Sequence, residues 1–161
     1  MSAMPAVDVA DRHIPRPIGR ILLATDLSPA SAGAADEALE LASRLDASLL
    51  AVSVIDPGQL RLPGGRFGQR VDQVRSAREA VAQELVGRGR RMGVRVTFLI
   101  WEGEPGESIV DAAQSERADL IVVGSHGRGA VGRFLIGSVS DYVVRNAPCP
   151  VLVVRSGIAR D

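Results

Sequence analysis

The sequence predicts an α/β domain: a single doubly wound, five-stranded parallel sheet, strand order 3-2-1-4-5, with helices on both faces. Three observations carry this expectation. Short aliphatic runs alternate four times with longer segments of helical period, and a fifth aliphatic run closes the series. Apolar residues make up 46% of the chain but aromatic ones only 3%, so the core must be built from Val, Leu, Ile and Ala. The fourth aliphatic run passes straight into a glycine-rich segment and then a helix start. Sheets of this class bind ligands at such a place, outside the carboxyl ends of their strands.

The chain has 161 residues, the length of one domain with one substantial core. Met1 to Ile18 carries Pro5, Pro15 and Pro17 with mixed charge and no period, and reads as a flexible arm. The domain is expected over 19–156, with 157–161 as a tail. The lone His13 in the arm has no metal-binding company.

Arg20 to Thr25 reads as the first strand, followed by Asp26-Leu-Ser-Pro. Ser28 suits a helix N-cap and Pro29 the first turn. Ala34, Ala38, Leu41, Ala42 and Leu45 share one face of that helix. Ala47 to Ile55 is the second strand, and the Gly- and Pro-rich Gln59 to Gln69 a mobile loop. A helix follows on Val71, Val74, Ala77, Val81 and Leu85, running to about Met92. Its terminal Arg88, Arg90 and Arg91 complement the helix dipole. Val94 to Trp101 is the third strand, and Ile109, Ala112 and Ala113 face inward on the next helix. Glu102, Glu104, Glu107 and Asp111 favour that helix start more than a metal site. Trp101 suits partly buried core better than a base-stacking platform. Asp119 to Val123 and Val151 to Val154 are the last two strands.

Between those strands lies the stretch with chemistry in it. Glycines stand at 124, 127, 129 and 132, and Gly137-Ser138 opens a helix with Val139, Tyr142 and Val143 on one face. Glycines let the backbone approach a ligand closely, and successive N–H groups form an anion-binding concavity. The helix start adds unpaired N–H groups and a partial positive charge. Three phosphate motifs compete for these residues. The Walker A pattern needs lysine, and all 19 basic residues here are arginine. The G-x-G-x-x-G pattern fits Gly127, Gly129 and Gly132, but it follows a late strand and Ala147 to Val154 contains no acid. The third pattern is Gly, two residues, Gly, nine residues, Gly-Ser, and Gly124, Gly127, Gly137 and Ser138 fit it without a gap.

Asp26 has two readings, a loop acid bonding local N–H groups and a ligand for a sugar hydroxyl or base. Strand order 3-2-1-4-5 puts the switch point between strands one and four. Asp26 would then sit beside Gly124 and Gly127 over one crevice.

With Ala-Thr-Asp-Leu-Ser in the first strand, Val-Ile-Asp after the second, Gly-Ser-His-Gly, Gly-Ser-Val and Pro-Cys-Pro-Val-Leu-Val-Val, Arg20 to Arg155 resembles a universal stress protein. The retained helix-start signature is that of the ATP-binding branch. The resemblance implies ATP, with Mg, as the bound cofactor. By that resemblance Asp26 contacts the nucleoside with Ala24 close by, and Val54 contacts adenine through its backbone. Gly124, Ser125, His126, Gly127, Arg128, Gly129 and Ala130 would wrap the phosphates, and Ser138 and Val139, after Gly137, would complete the cradle. Arg128 suits a charge-assisted phosphate contact. No acid or nucleophile pairs with His126, so no catalytic residue is assigned. The family also commonly dimerises through the edge strand corresponding to Val151 to Val154, an apolar edge open to pairing.

The functional expectation is an ATP-binding, nucleotide-responsive regulatory dimer in stress response, acting on an unknown regulatory protein partner. A slow ATPase or a nucleotide-transferring enzyme on the same fold is the alternative, since phosphoryl transfer needs a positioned nucleophile and usually metal and cation clamps. Acids and bases balance at 19 each, which gives no case for nucleic acid or an anionic membrane as partner. No apolar run approaches the ~20 residues of a membrane span. The single Cys149 and the absence of a signal-peptide pattern fit the cytoplasm.

Overall fold

A computed structural model describes residues 16–125 and 137–155. Five strands form one sheet: β1 (Arg20–Ala24), β2 (Ser48–Ile55), β3 (Val96–Glu102), β4 (Leu120–Gly124) and β5 (Val151–Val154). Their order is β3-β2-β1-β4-β5, and every pairing is parallel. The expected topology is therefore observed, with the switch point between β1 and β4. In register, Ala24 lies beside Val52 on one side and Val123 on the other.

Among the described residues four α-helices cover the sheet: α1 (Ala32–Leu45), α2 (Phe67–Arg91), α3 (Pro105–Ser115) and α4 (Ser138–Asn146). Side chains alternate across the pleat, so β1 feeds two cores. Ile21 and Leu23 pack with Ala34, Ala38 and Ala42 of α1 and Leu85 of α2. Leu22 and Ala24 pack with Ile109 and Ala112 of α3 and Val143 of α4. Both faces being covered explains why β1, β2 and β4 are near-continuous aliphatic runs. Full burial of Leu22, Leu23 or Ile121 stabilises the fold by roughly 1.5–3 kcal/mol each. The alanines of α1 bring it close to the sheet. At Gly89 of α2 a Cβ would run into the Val96 side chain, so that crossing requires glycine.

The amino end of the domain is latched as well as packed. Asp119 Oδ2 accepts hydrogen bonds from the Gly19 and Arg20 N–H groups, both at 2.9 Å, and Ile18 packs against the first core. Most of the expected arm, and the tail from residue 156, lie outside the described residues.

Three local expectations differ. Ser28 does not cap α1; it precedes a 3-10 turn, Pro29–Ser31, and makes no side-chain cap bond. The helix starts at Ala32 because the Ser31 hydroxyl is spent on the Ser28 carbonyl and on Thr25 Oγ1, each at 2.8 Å. α2 starts at Phe67, before Val71, because Arg66 turns the chain in left-handed conformation, φ 61°. The segment before it is tied down: Arg70 donates to the Leu60 carbonyl at 3.0 Å and the Leu62 carbonyl at 3.3 Å. The acids around α3 act locally, as expected. Glu104 accepts from the Glu107 N–H at 2.7 Å as the cap, and Glu102 pairs with Arg75 at 2.7 Å. No group of three or more metal-ligating side chains occurs among the described residues.

Candidate functional site

A cavity of about 650 Å³ opens at the carboxyl edge of the sheet, over the switch point between β1 and β4. Parallel strands with connections leaving to opposite faces produce a crevice there.

The turn after β1 supplies its polar wall. Leu27 adopts φ 59°, a conformation rare for a branched side chain. Thr25 Oγ1 accepts from the Leu27 N–H at 2.9 Å, and Asp26 Oδ1 accepts from the Ser28 N–H at 2.9 Å. Asp26 bonds the local backbone, as the first reading has it, and it also lines the cavity. Burial raises its pKa, but hydrogen bonds from Ser28 and Ser31 and the charge of Arg78 outweigh that. The carboxyl titrates below its ordinary value and is ionised at neutral pH.

β4 and α4 supply the opposite wall. Ser125 is buried; its N–H donates to the Val154 carbonyl and its carbonyl accepts from the Gly137 N–H, each at 2.8 Å. That second bond places the end of β4 beside the start of α4. Ser140 Oγ donates to the Gly137 carbonyl at 2.9 Å and steadies the first turn. The opening N–H groups of α4 have no acceptor within the helix and suit an anion.

Of the predicted site residues, Ala24, Asp26, Val54, Gly124, Gly137, Ser138 and Val139 line this one cavity. Ser125 lies just behind it, and its hydroxyl has no partner among the described residues. His126, Gly127, Arg128, Gly129 and Ala130 lie outside the described residues.

Sequence reasoning missed Arg78. It projects from α2 into the cavity and donates to Ser53 Oγ at 2.9 Å and to the Val54 carbonyl at 2.7 Å. A signal existed: Val71, Val74, Arg78, Ala82 and Leu85 are spaced as one helical stripe, with a charge at its centre. The stripe needed an acceptor to face, and the Val54 carbonyl beyond the end of β1 is that acceptor.

Comparison with known proteins places this architecture. Residues 17–155 match the profile of the universal stress protein family. A universal stress protein of Thermus aquaticus is 40% identical over 136 residues, which covers 84% of this chain and 97% of its own. A structure from the same family in Burkholderia pseudomallei superposes with a TM-score of 0.72 at 32% identity, covering 86% of this chain and 97% of that one. A universal stress protein solved in complex with cAMP superposes with a TM-score of 0.66 at 25% identity, over 88% of this chain and 99% of that one. With its sheet order, its crevice and a match spanning nearly all the described residues, this chain belongs to the universal stress protein family.

Proposed function

We propose that the chain binds ATP, with Mg, in the switch-point crevice and serves as a nucleotide-responsive regulatory dimer in stress response. The observation that carries the reading is the meeting of Asp26, Gly124 and the Ser138 helix start around one cavity. One wall offers an ionised acceptor for sugar hydroxyls, and the other offers backbone donors for phosphate. Ala24, Val54 and Ile109 give the base an apolar seat. The complex of a similar protein with cAMP supports an adenine nucleotide as the ligand class.

Gly124 through Ala130 wrap the phosphates in this reading, Ser138 and Val139 close the cradle, and Arg128 meets a phosphate oxygen. Mg supplies charge neutralisation of the phosphates when bound; the chain's own residues bind, orient and partly enclose the nucleotide. Regulation passes through a homodimer formed at β5 and a protein partner.

The test is the identity of what the protein carries. Purified protein is denatured and the released small molecules are separated, followed by calorimetric titration of stripped protein with ATP and Mg. ATP in the supernatant and saturable binding are expected. An empty supernatant together with no heat of binding would sink the reading.

A further inference from the structure

The lining of the crevice is mixed in chemistry. Gly124, Gly137 and Ser138 bring backbone and a helix start, whereas Val54, Leu60 and Val74 are apolar. The first set suits phosphate and the second a flat base. Arg78 lines the crevice from α2, on the same helix as Val74.

Its position there is specific. Nη1 donates to Ser53 Oγ at 2.9 Å and to the Val54 carbonyl at 2.7 Å. That carbonyl faces the crevice. The Val52 carbonyl is taken from the β1 side by the Thr25 N–H, and the Ile55 carbonyl from the far side by the Gly103 N–H. Carbonyls alternate along a strand, so that of Val54 points to the β1 side, beyond the last β1 residue in register. A base edge laid against the end of β2 meets a carbonyl and a guanidinium together.

A bare carbonyl would select bases in one direction. It accepts from the 6-amino group of adenine and repels the oxygen of a 6-oxopurine. The cation bonded to it changes that balance. Its positive charge offsets the repulsion between two oxygens, while the second lone pair of the carbonyl still serves an amino group. We propose that Arg78 is a specificity-determining residue of the base subsite and opens the crevice to 6-oxopurine nucleotides alongside adenine nucleotides. The proposal rests on the nucleotide reading above and adds the class of base.

ITP tests it, because it differs from ATP only at the C6–N1 edge of the base. The full chain and its Arg78→Met variant are titrated with ATP and with ITP by calorimetry. The parent should bind ITP within about tenfold of ATP, and the variant should lose at least about tenfold more affinity for ITP than for ATP. A parent that favours ATP by more than about tenfold overturns the proposal. So does an ATP-to-ITP ratio that Arg78→Met leaves unchanged, the result a purely structural role would give. The parent's ratio decides even if the variant does not fold. A parent that binds neither nucleotide overturns the nucleotide reading itself, an outcome separate from loss of the base preference.

Discussion

The Gly137 N–H donates to the Ser125 carbonyl at 2.8 Å, so the end of β4 and the start of α4 stand side by side. That bond sets the carboxyl edge of the sheet against the helix start on one wall of the crevice.

Gly127→Val and Gly137→Val should abolish ATP binding and leave a folded domain. Side chains at those places would occupy the volume the phosphates need. Calorimetry measures the binding and circular dichroism the fold. If both variants bind ATP like the parent, the cradle is elsewhere.

Asp26→Ala should weaken ATP and adenosine alike, by about 1.5–3 kcal/mol, because the proposed mode gives it the nucleoside as partner and the acceptor is charged. Ser138→Ala should cost on the order of 1 kcal/mol, since the helix N–H groups remain. Arg128→Ala should weaken ATP more than adenosine, since the proposed mode gives it phosphate as its partner. Equal losses of ATP and adenosine in Arg128→Ala would remove that residue from the phosphate site.

Asp26 also sets an acid limb of stability. Its folded pKa lies below its ordinary value of 3.8. The contribution is complete above that value and is lost as pH falls through the lower folded value. The stability difference between parent and Asp26→Asn should be constant from about pH 5 upward and change as pH drops toward about 3. Urea unfolding at several pH values measures it; a difference that does not vary with pH would show no depressed carboxyl at this position.

The legibility of this chain was uneven for physical reasons. The sheet could be read because strands buried on both faces are aliphatic in nearly continuous runs, as in Leu49 to Val52, and because each of the first four is followed by a helical period. Asp26 and Gly124 could be joined because topology alone brings the ends of β1 and β4 together. Helix starts were less legible. Whether Ser28 or Ser31 ends the turn depends on which hydroxyl Thr25 engages, a contact across the loop. Arg66 in left-handed conformation has no propensity signal to announce it. Arg78 was hidden because its meaning depends on a carbonyl of another element.

Asp119→Ala should destabilise the domain by about 1–3 kcal/mol, since two backbone N–H groups lose one charged acceptor. Deleting residues 1–15 should leave the melting temperature nearly unchanged, because the latch and the Ile18 contact remain. Extending the deletion through Ile18 removes an apolar contact and should cost more. Thermal unfolding of the two truncations separates these outcomes, and equal melting temperatures would show that Ile18 contributes nothing.

The dimer prediction turns on which way each β5 peptide points. The Pro150 carbonyl accepts from the Ile121 N–H and the Val154 carbonyl from the Ser125 N–H, so residues 150 and 154 face β4. By alternation residue 152 faces β4 too, and the N–H and carbonyl groups of Val151 and Val153 point off the edge of the sheet. Two such edges can meet antiparallel about a twofold axis, and their aliphatic side chains are only half-buried in the single chain. Val153→Pro deletes one outward donor without touching the ladder to β4, a place where an edge strand tolerates proline. The parent should have the mass of a dimer in light scattering at micromolar concentration, and Val153→Pro that of a folded monomer. Cys149→Ser should stay dimeric: burial, and then the charge of Asp119, hold that thiol above its ordinary pKa, and no bond across the edge needs it. A parent of monomer mass, or a Val153→Pro variant that remains a dimer, would remove β5 as the interface.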